Sequence, residues 1–207
     1  MEYLTVGKNA TAEYQEQRSR FISTVIGVSS EADAIKFIND TKQKYWDARH
    51  NVYAYIIKDG SICRYSDDGE PHSTAGLPTL DVLKKKNLTN VCVVTTRYFG
   101  GILLGTGGLV RAYTSAASAA IDAAGICVMR ECDVCNCVCN YTDYTLLQQV
   151  IEQTGGVVMN TDFTDSIKLQ FCVAANLTDH LKAVLTDKFR GKMTVNLEYK
   201  KFMPTNL

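Results

Sequence analysis

The chain has 207 residues, with 22 Lys+Arg against 22 Asp+Glu, three His, eight Cys and 46% hydrophobic residues. That length suits one large domain or two of roughly 80–130 residues with real cores, and the composition excludes a disordered chain. Residues 1–126 carry 14 basic and 13 acidic groups and residues 127–207 carry 8 and 9, so the overall basic excess that marks many nucleic-acid binders is missing.

The opening residues hold no apolar run suited to a signal peptide, and no stretch reaches the roughly 18 apolar residues of a membrane span. The expectation is a cytoplasmic protein without membrane contact. In chain order, Arg18–Gly27 reads as a strand and Ser30–Tyr45 as an amphipathic helix capped by Ser30. Asn51–Lys58 and Ser61–Tyr65 read as strands joined at Asp59-Gly60, a dipeptide that favours the two-residue hairpin turn. A loop over Ser66–Gly76 leads to a helix near Leu80–Lys86 and an apolar strand, Val91–Thr96. Gly100–Gly108 reads as a glycine-rich loop, followed by an alanine-rich helix, Leu109–Ala123.

After Gly125 the pattern becomes strand 127–141, helix 143–153, strands 156–162 and 166–174, helix 177–187 and strand 193–201. This is the ferredoxin-like β-α-β-β-α-β order. The expected class is therefore α+β, with a domain over 1–126 built from a mixed sheet plus helices and a ferredoxin-like domain over 127–207. Five cysteines fall at 127, 132, 135, 137 and 139. The strand-like alternation of this run places Cys135, Cys137 and Cys139 on one face about 6.5–7 Å apart. Thiolates sharing a zinc at about 2.3 Å lie under 4 Å from one another, so a core strand is expected here and no metal. No cofactor is called for.

Three polar clusters of the first domain sit at strand ends or loops, where function concentrates. They are Asp47–Asn51, Tyr65–Gly76 and Thr95–Tyr113. His50 beside Asp67, Asp68 and Glu70 offers acid/base groups for a hydrolase. The glycines Gly100, Gly101, Gly105, Gly107 and Gly108 match neither the dinucleotide fingerprint nor a P-loop. They open onto a helix between Arg97 and Arg111, an arrangement that favours an anion or a nucleotide. Arg49 and Tyr98 complete the candidate binding set, with Phe99 and Tyr113 as further aromatic groups able to stack on bases.

Taken together, His50-Asn-Val-Tyr-Ala-Tyr55, Asp67-Asp-Gly-Glu-Pro71, Thr74-Ala-Gly76, Arg97-Tyr-Phe-Gly-Gly101, Leu104-Gly105, Gly107-Gly-Leu109 and Arg111-Ala-Tyr113 resemble the IMPACT/YigZ family, in its bacterial two-domain branch. The resemblance spans about Ser19 to Ala124. It implies a first domain like a ribosomal small-subunit protein and domain four of elongation factor G, and a second like domain five of that factor. Two positions depart from the family pattern: His72-Ser73 stands where Ser-Gly is usual, and Leu103 where Lys is common. Eukaryotic members regulate translation through an additional N-terminal domain that this sequence does not contain. The resemblance thus implies a translation-linked regulatory or binding protein that contacts the ribosome, RNA or a translation-associated protein through the first-domain motifs. A hydrolase and an anion or nucleotide sensor remain the alternatives.

Overall fold

The computed structural model describes residues 1–58 and 61–205. The turn expected at Asp59-Gly60 lies outside them. The elements are β1 (Glu2–Val6), β2 (Ala10–Glu16), β3 (Ser19–Gly27), α1 (Glu31–Lys44), β4 (His50–Ile57), β5 (Ile62–Ser66), α2 (Gly76–Lys85), β6 (Val91–Tyr98), α3 (Gly105–Ala124), β7 (Ile126–Cys139), α4 (Tyr144–Gln153), β8 (Val157–Phe163), β9 (Ile167–Ala174), α5 (Thr178–Lys188) and β10 (Val195–Pro204). They form two compact units, Tyr3–Val128, and the residues from Met129 onward together with Met1 and Glu2.

The sheet of the first unit has the order β2-β3-β6-β4-β5. Every described pairing in it is antiparallel, which corrects the expected mixed sheet. The strands β3 and β4 that flank helix α1 do run parallel to each other, but β6 lies between them and opposes both. The apolar runs of β4 and β6 follow from burial on both faces. Tyr55, Ile57, Cys92 and Val94 pack with Ala34 and Ile38 of α1. Their alternates Ala54, Ile56, Val91 and Val93 pack with Leu80 and Leu83 of α2 and Ala117, Ala120 and Ile121 of α3. Alanines along α3 let the helix lie close to the strands. At the N-terminus of α1, the Ser30 side chain accepts from the Asp33 N–H as a cap.

The second unit has the sheet order β8-β9-β7-β10, all antiparallel, with β1 also hydrogen-bonded to β7. This is the ferredoxin-like order. Cys135, Cys137 and Cys139 share one face of β7 and are buried with Leu147 and Ile151 of α4 and Leu181 and Leu185 of α5. All eight cysteines are free thiols. Burial pushes the Cys137 thiol up to about 12, so it packs as a small apolar group.

Candidate functional site

The end of the first unit's sheet that meets the start of α3 collects much of the motif chemistry. His50 and Arg97 are cross-strand partners on β4 and β6, and Phe21 of β3 pairs Arg97 from the other side. This register sets the three side chains in one row on the α3 face of the sheet. The Arg97 Nη1 donates to Glu70 Oε1 at 2.6 Å, and the Tyr113 hydroxyl donates to the same oxygen at 2.8 Å. The Arg97 and Glu70 side chains are 7% and 3% exposed. The guanidinium carbon also lies 5.5 Å from the Phe21 ring centroid and 5.6 Å from that of Phe99, a cation held between two aromatic rings. Burial first, and then the Glu70 charge, raise the Tyr113 hydroxyl far above its usual range and keep it a donor.

The neighbouring carboxylates have local structural duties. Asp67 Oδ1 accepts from the N–H groups of Ala75 and Gly76, and its Oδ2 from that of Ser73, tying the loop to the start of α2. Asp68 accepts from the Asn51 N–H and pairs with Lys42 at 2.7 Å. His50 Nδ1 bonds the carbonyl of Asp68 at 2.8 Å. Unlike Asp67, Glu70 accepts at its Oε1 from side chains of β6 and α3, because the turn after Asp67 directs it under Arg97. Two glycines are required by close approach: a Cβ on Gly76 would sit 2.6 Å from the Ser66 carbonyl oxygen, and one on Gly100 would sit 2.1 Å from the Arg18 carbonyl carbon. Ser73, at the position where the family pattern has Gly, holds φ 60.

These side chains border a cavity of about 370 Å³ lined by Arg49, His50, Glu70, Pro71, Arg97, Phe99, Leu103, Leu104, Gly105, Thr106 and Leu109. Of the sequence candidates, Arg49, His50, Glu70, Arg97 and Gly105 line it together. Tyr98 does not, as its hydroxyl bonds Asp47 and its ring lies under Arg20. Arg111 stands outside the lining, beside Gly107. Gly100, Gly101, Gly107, Gly108, Asp67 and Asp68 are also outside it. Tyr113, read as a stacking group, is fully buried, whereas Phe99 is 55% exposed. The glycine stretch is a loop only to Leu104: α3 starts at Gly105, so Gly105, Gly107 and Gly108 form its first turn. Leu103, Leu104, Leu109 and Pro71 carry no chemical signature in the sequence; their role as apolar wall comes only from the fold.

Among the described residues no cluster of three or more His, Cys, Asp or Glu could hold a metal ion, and no helix is long and apolar enough to cross a membrane.

Residues 17–121 match the Impact N-terminal domain, and residues 137–192 match a domain of unknown function (DUF1949). The chain is 33% identical to the IMPACT family member YvyE of Bacillus subtilis, over 93% of this chain and 89% of that protein. It is 31% identical to the IMPACT family member YigZ of Escherichia coli, over 86% and 88%. Protein IMPACT-B of Xenopus tropicalis matches at 34% identity over 44% of this chain and 30% of its own length. A solved structure described as that of a hypothetical protein superposes with a TM-score of 0.62 at 29% identity, covering 96% of this chain and 98% of the other. With an IMPACT-type domain over half its length and IMPACT family relatives matched over most of both chains, the chain belongs to the IMPACT family.

Proposed function

We propose that this chain is a cytoplasmic, non-catalytic binding protein of the translation apparatus, which engages the ribosome, RNA or a translation-associated protein through the cavity face of its first unit. One observation carries the reading: Arg49, the Arg97–Glu70 pair and the open start of α3 stand beside the exposed apolar side chains of Phe99 and Leu103. Cation next to unburied aromatic and aliphatic surface suits recognition of a partner. The hydrolase alternative lacks support from geometry, because the Asp67 and Asp68 carboxylates and His50 Nδ1 are engaged with backbone groups or Lys42 and not with one another.

Co-sedimentation with ribosomes at several salt concentrations tests this reading. Wild type is expected to co-sediment at low salt with a shallow dependence, about two or three counterions, since so few cations border the site. Arg49→Ala combined with Leu103→Asp alters two exposed side chains and should weaken the association about tenfold or more. Wild type that fails to co-sediment at low salt, or a variant that binds equally, would overturn it.

A further inference from the structure

Helix α3 begins without a side-chain cap: Leu104 holds the cap position and Gly105-Thr106-Gly107-Gly108 is the first turn. Amide N–H groups there lack intrahelical acceptors, and a 20-residue helix adds the positive end of its dipole. A Cβ on Gly105 would meet nothing within 4 Å, so the backbone is open to a ligand. Every helix has such an end, and a second feature distinguishes this one. Arg97 lines the same cavity and is 6% exposed, yet only one of its donors is hydrogen-bonded, Nη1 to Glu70. Its Nε is buried with no partner. Because that Nε is fully covered, an acceptor in the cavity meets Arg97 only at its terminal nitrogens, one of which already donates to Glu70.

Charge and shape narrow the occupant. Glu70 is held by Arg97 and Tyr113, which leaves exposed Arg49 as the surplus charge at the rim, and it makes no ion pair among the described residues. Part of the lining is apolar and aromatic: Phe99, whose ring packs against Arg97, is 55% exposed and Leu103 85%. The cavity, at about 370 Å³, is far larger than an inorganic anion needs. Resting on the reading of this cavity as a binding site, we infer that it takes a nucleoside 5′-monophosphate unit, free or as the phosphorylated 5′ end of a single-stranded RNA. The phosphate lies on the first-turn amides of α3 with Arg49 and Arg97, and the base lies against Phe99 and Leu103.

Calorimetric titration of the full chain with adenosine 5′-monophosphate, adenosine and inorganic phosphate tests this. The monophosphate is expected to bind about tenfold or more tighter than either fragment. Arg49→Ala should weaken the monophosphate about tenfold and leave adenosine unchanged, while Phe99→Ala should weaken the monophosphate and leave phosphate unchanged. Arg49 is exposed, so an unaltered thermal melt is expected for Arg49→Ala; Phe99→Ala also removes one ring from the Arg97 guanidinium, so a small drop in its melt is expected while the protein stays folded. Six-residue oligoadenylate with a 5′-phosphate or a 5′-hydroxyl separates the sources: a phosphate-dependent gain over the mononucleotide assigns the RNA end, and its absence assigns the free nucleotide. A monophosphate that binds no tighter than phosphate, or that is indifferent to Arg49→Ala, overturns the inference. If ribosome co-sedimentation persists in that case, the binding role stands and only this ligand falls. Conversion of the monophosphate to adenosine that is lost in a folded His50→Ala variant would overturn the non-catalytic reading itself.

Discussion

Glu70 is the residue on which the cavity floor turns. A single carboxylate oxygen accepts from a buried guanidinium and a buried phenol, so Arg97 depends on it for charge balance and Tyr113 for its hydrogen-bond acceptor. Removing one partner of such a pair is worse than never having built it, because the survivor is left charged in a poorly hydrated place. Glu70→Ala is expected to destabilise the protein by about 3–5 kcal/mol. Tyr113→Phe, which keeps the ring packed edge-on against Phe21, should cost about 1.5–3 kcal/mol. Urea denaturation of the two variants checks the order, and equal losses would show that the ion pair contributes nothing beyond the hydroxyl. Arg97 and Glu70 were legible in the sequence as polar residues at strand and loop ends. Their pairing was not, because 27 residues separate them and only the β4–β6 register brings the two loops together.

At the scale of elements, the loop before α2 stores opposing contributions. Asp67 gathers three backbone N–H groups, two of them at the helix start, while Ser73 occupies a left-handed conformation that a side chain disfavours. Substitutions there should act in opposite directions: Asp67→Ala should lower stability by about 2 kcal/mol and Ser73→Gly should raise it by up to about 1 kcal/mol. Thermal melts read both, and a destabilising Ser73→Gly would mean that its hydroxyl bond to His72 outweighs the backbone relief. The elements missed in the sequence have physical reasons. β2 alternates weakly, Ala10, Ala12, Tyr14 and Glu16 against Thr11, Glu13 and Gln15, with Tyr14 its one large apolar group, because it is an edge strand with little apolar surface to bury. β1 is too short to declare itself and finds its partner in β7, more than a hundred residues later. The early start of α3 was hidden by glycine's poor helix propensity, which packing of Gly108 and Leu109 overrides.

For the whole molecule, the thiols set a limit in alkaline solution. Burial raises Cys92, Cys132, Cys135, Cys137 and Cys139, and Cys137 reaches about 12. In the unfolded chain a thiol releases its proton near 9, so above that pH the unfolded state binds fewer protons than the folded state. Stability must therefore fall as pH rises from about 9 towards about 12, and the raised hydroxyls of Tyr55 and Tyr113 act in the same direction. Under reducing conditions the urea midpoint should be lower at about pH 10 than at about pH 8, and Cys137→Ala should make the fall shallower. Identical midpoints at the two pH values would contradict the burial of these groups. The alternation of Cys135, Cys137 and Cys139 was readable from the sequence alone, since a strand's period of two needs no tertiary information.

The place of β6 bears on how the protein is made. It is the central strand of its sheet and the last of the five to leave the ribosome, after two hairpins, β2–β3 and β4–β5, have already been synthesised. From Ile57, at the end of β4, to Tyr98, at the end of β6, translation at roughly 5–20 residues per second takes about 2–8 s. Throughout that interval β3 and β4 present unpaired edges bearing Phe21, Val25, Val52 and Ile56, surfaces on which nascent chains stick to one another. A chain interrupted after β5 holds two such edges and no centre. Arrival of β6 closes both at once, and in the same event its last turn of backbone brings Arg97 over Glu70.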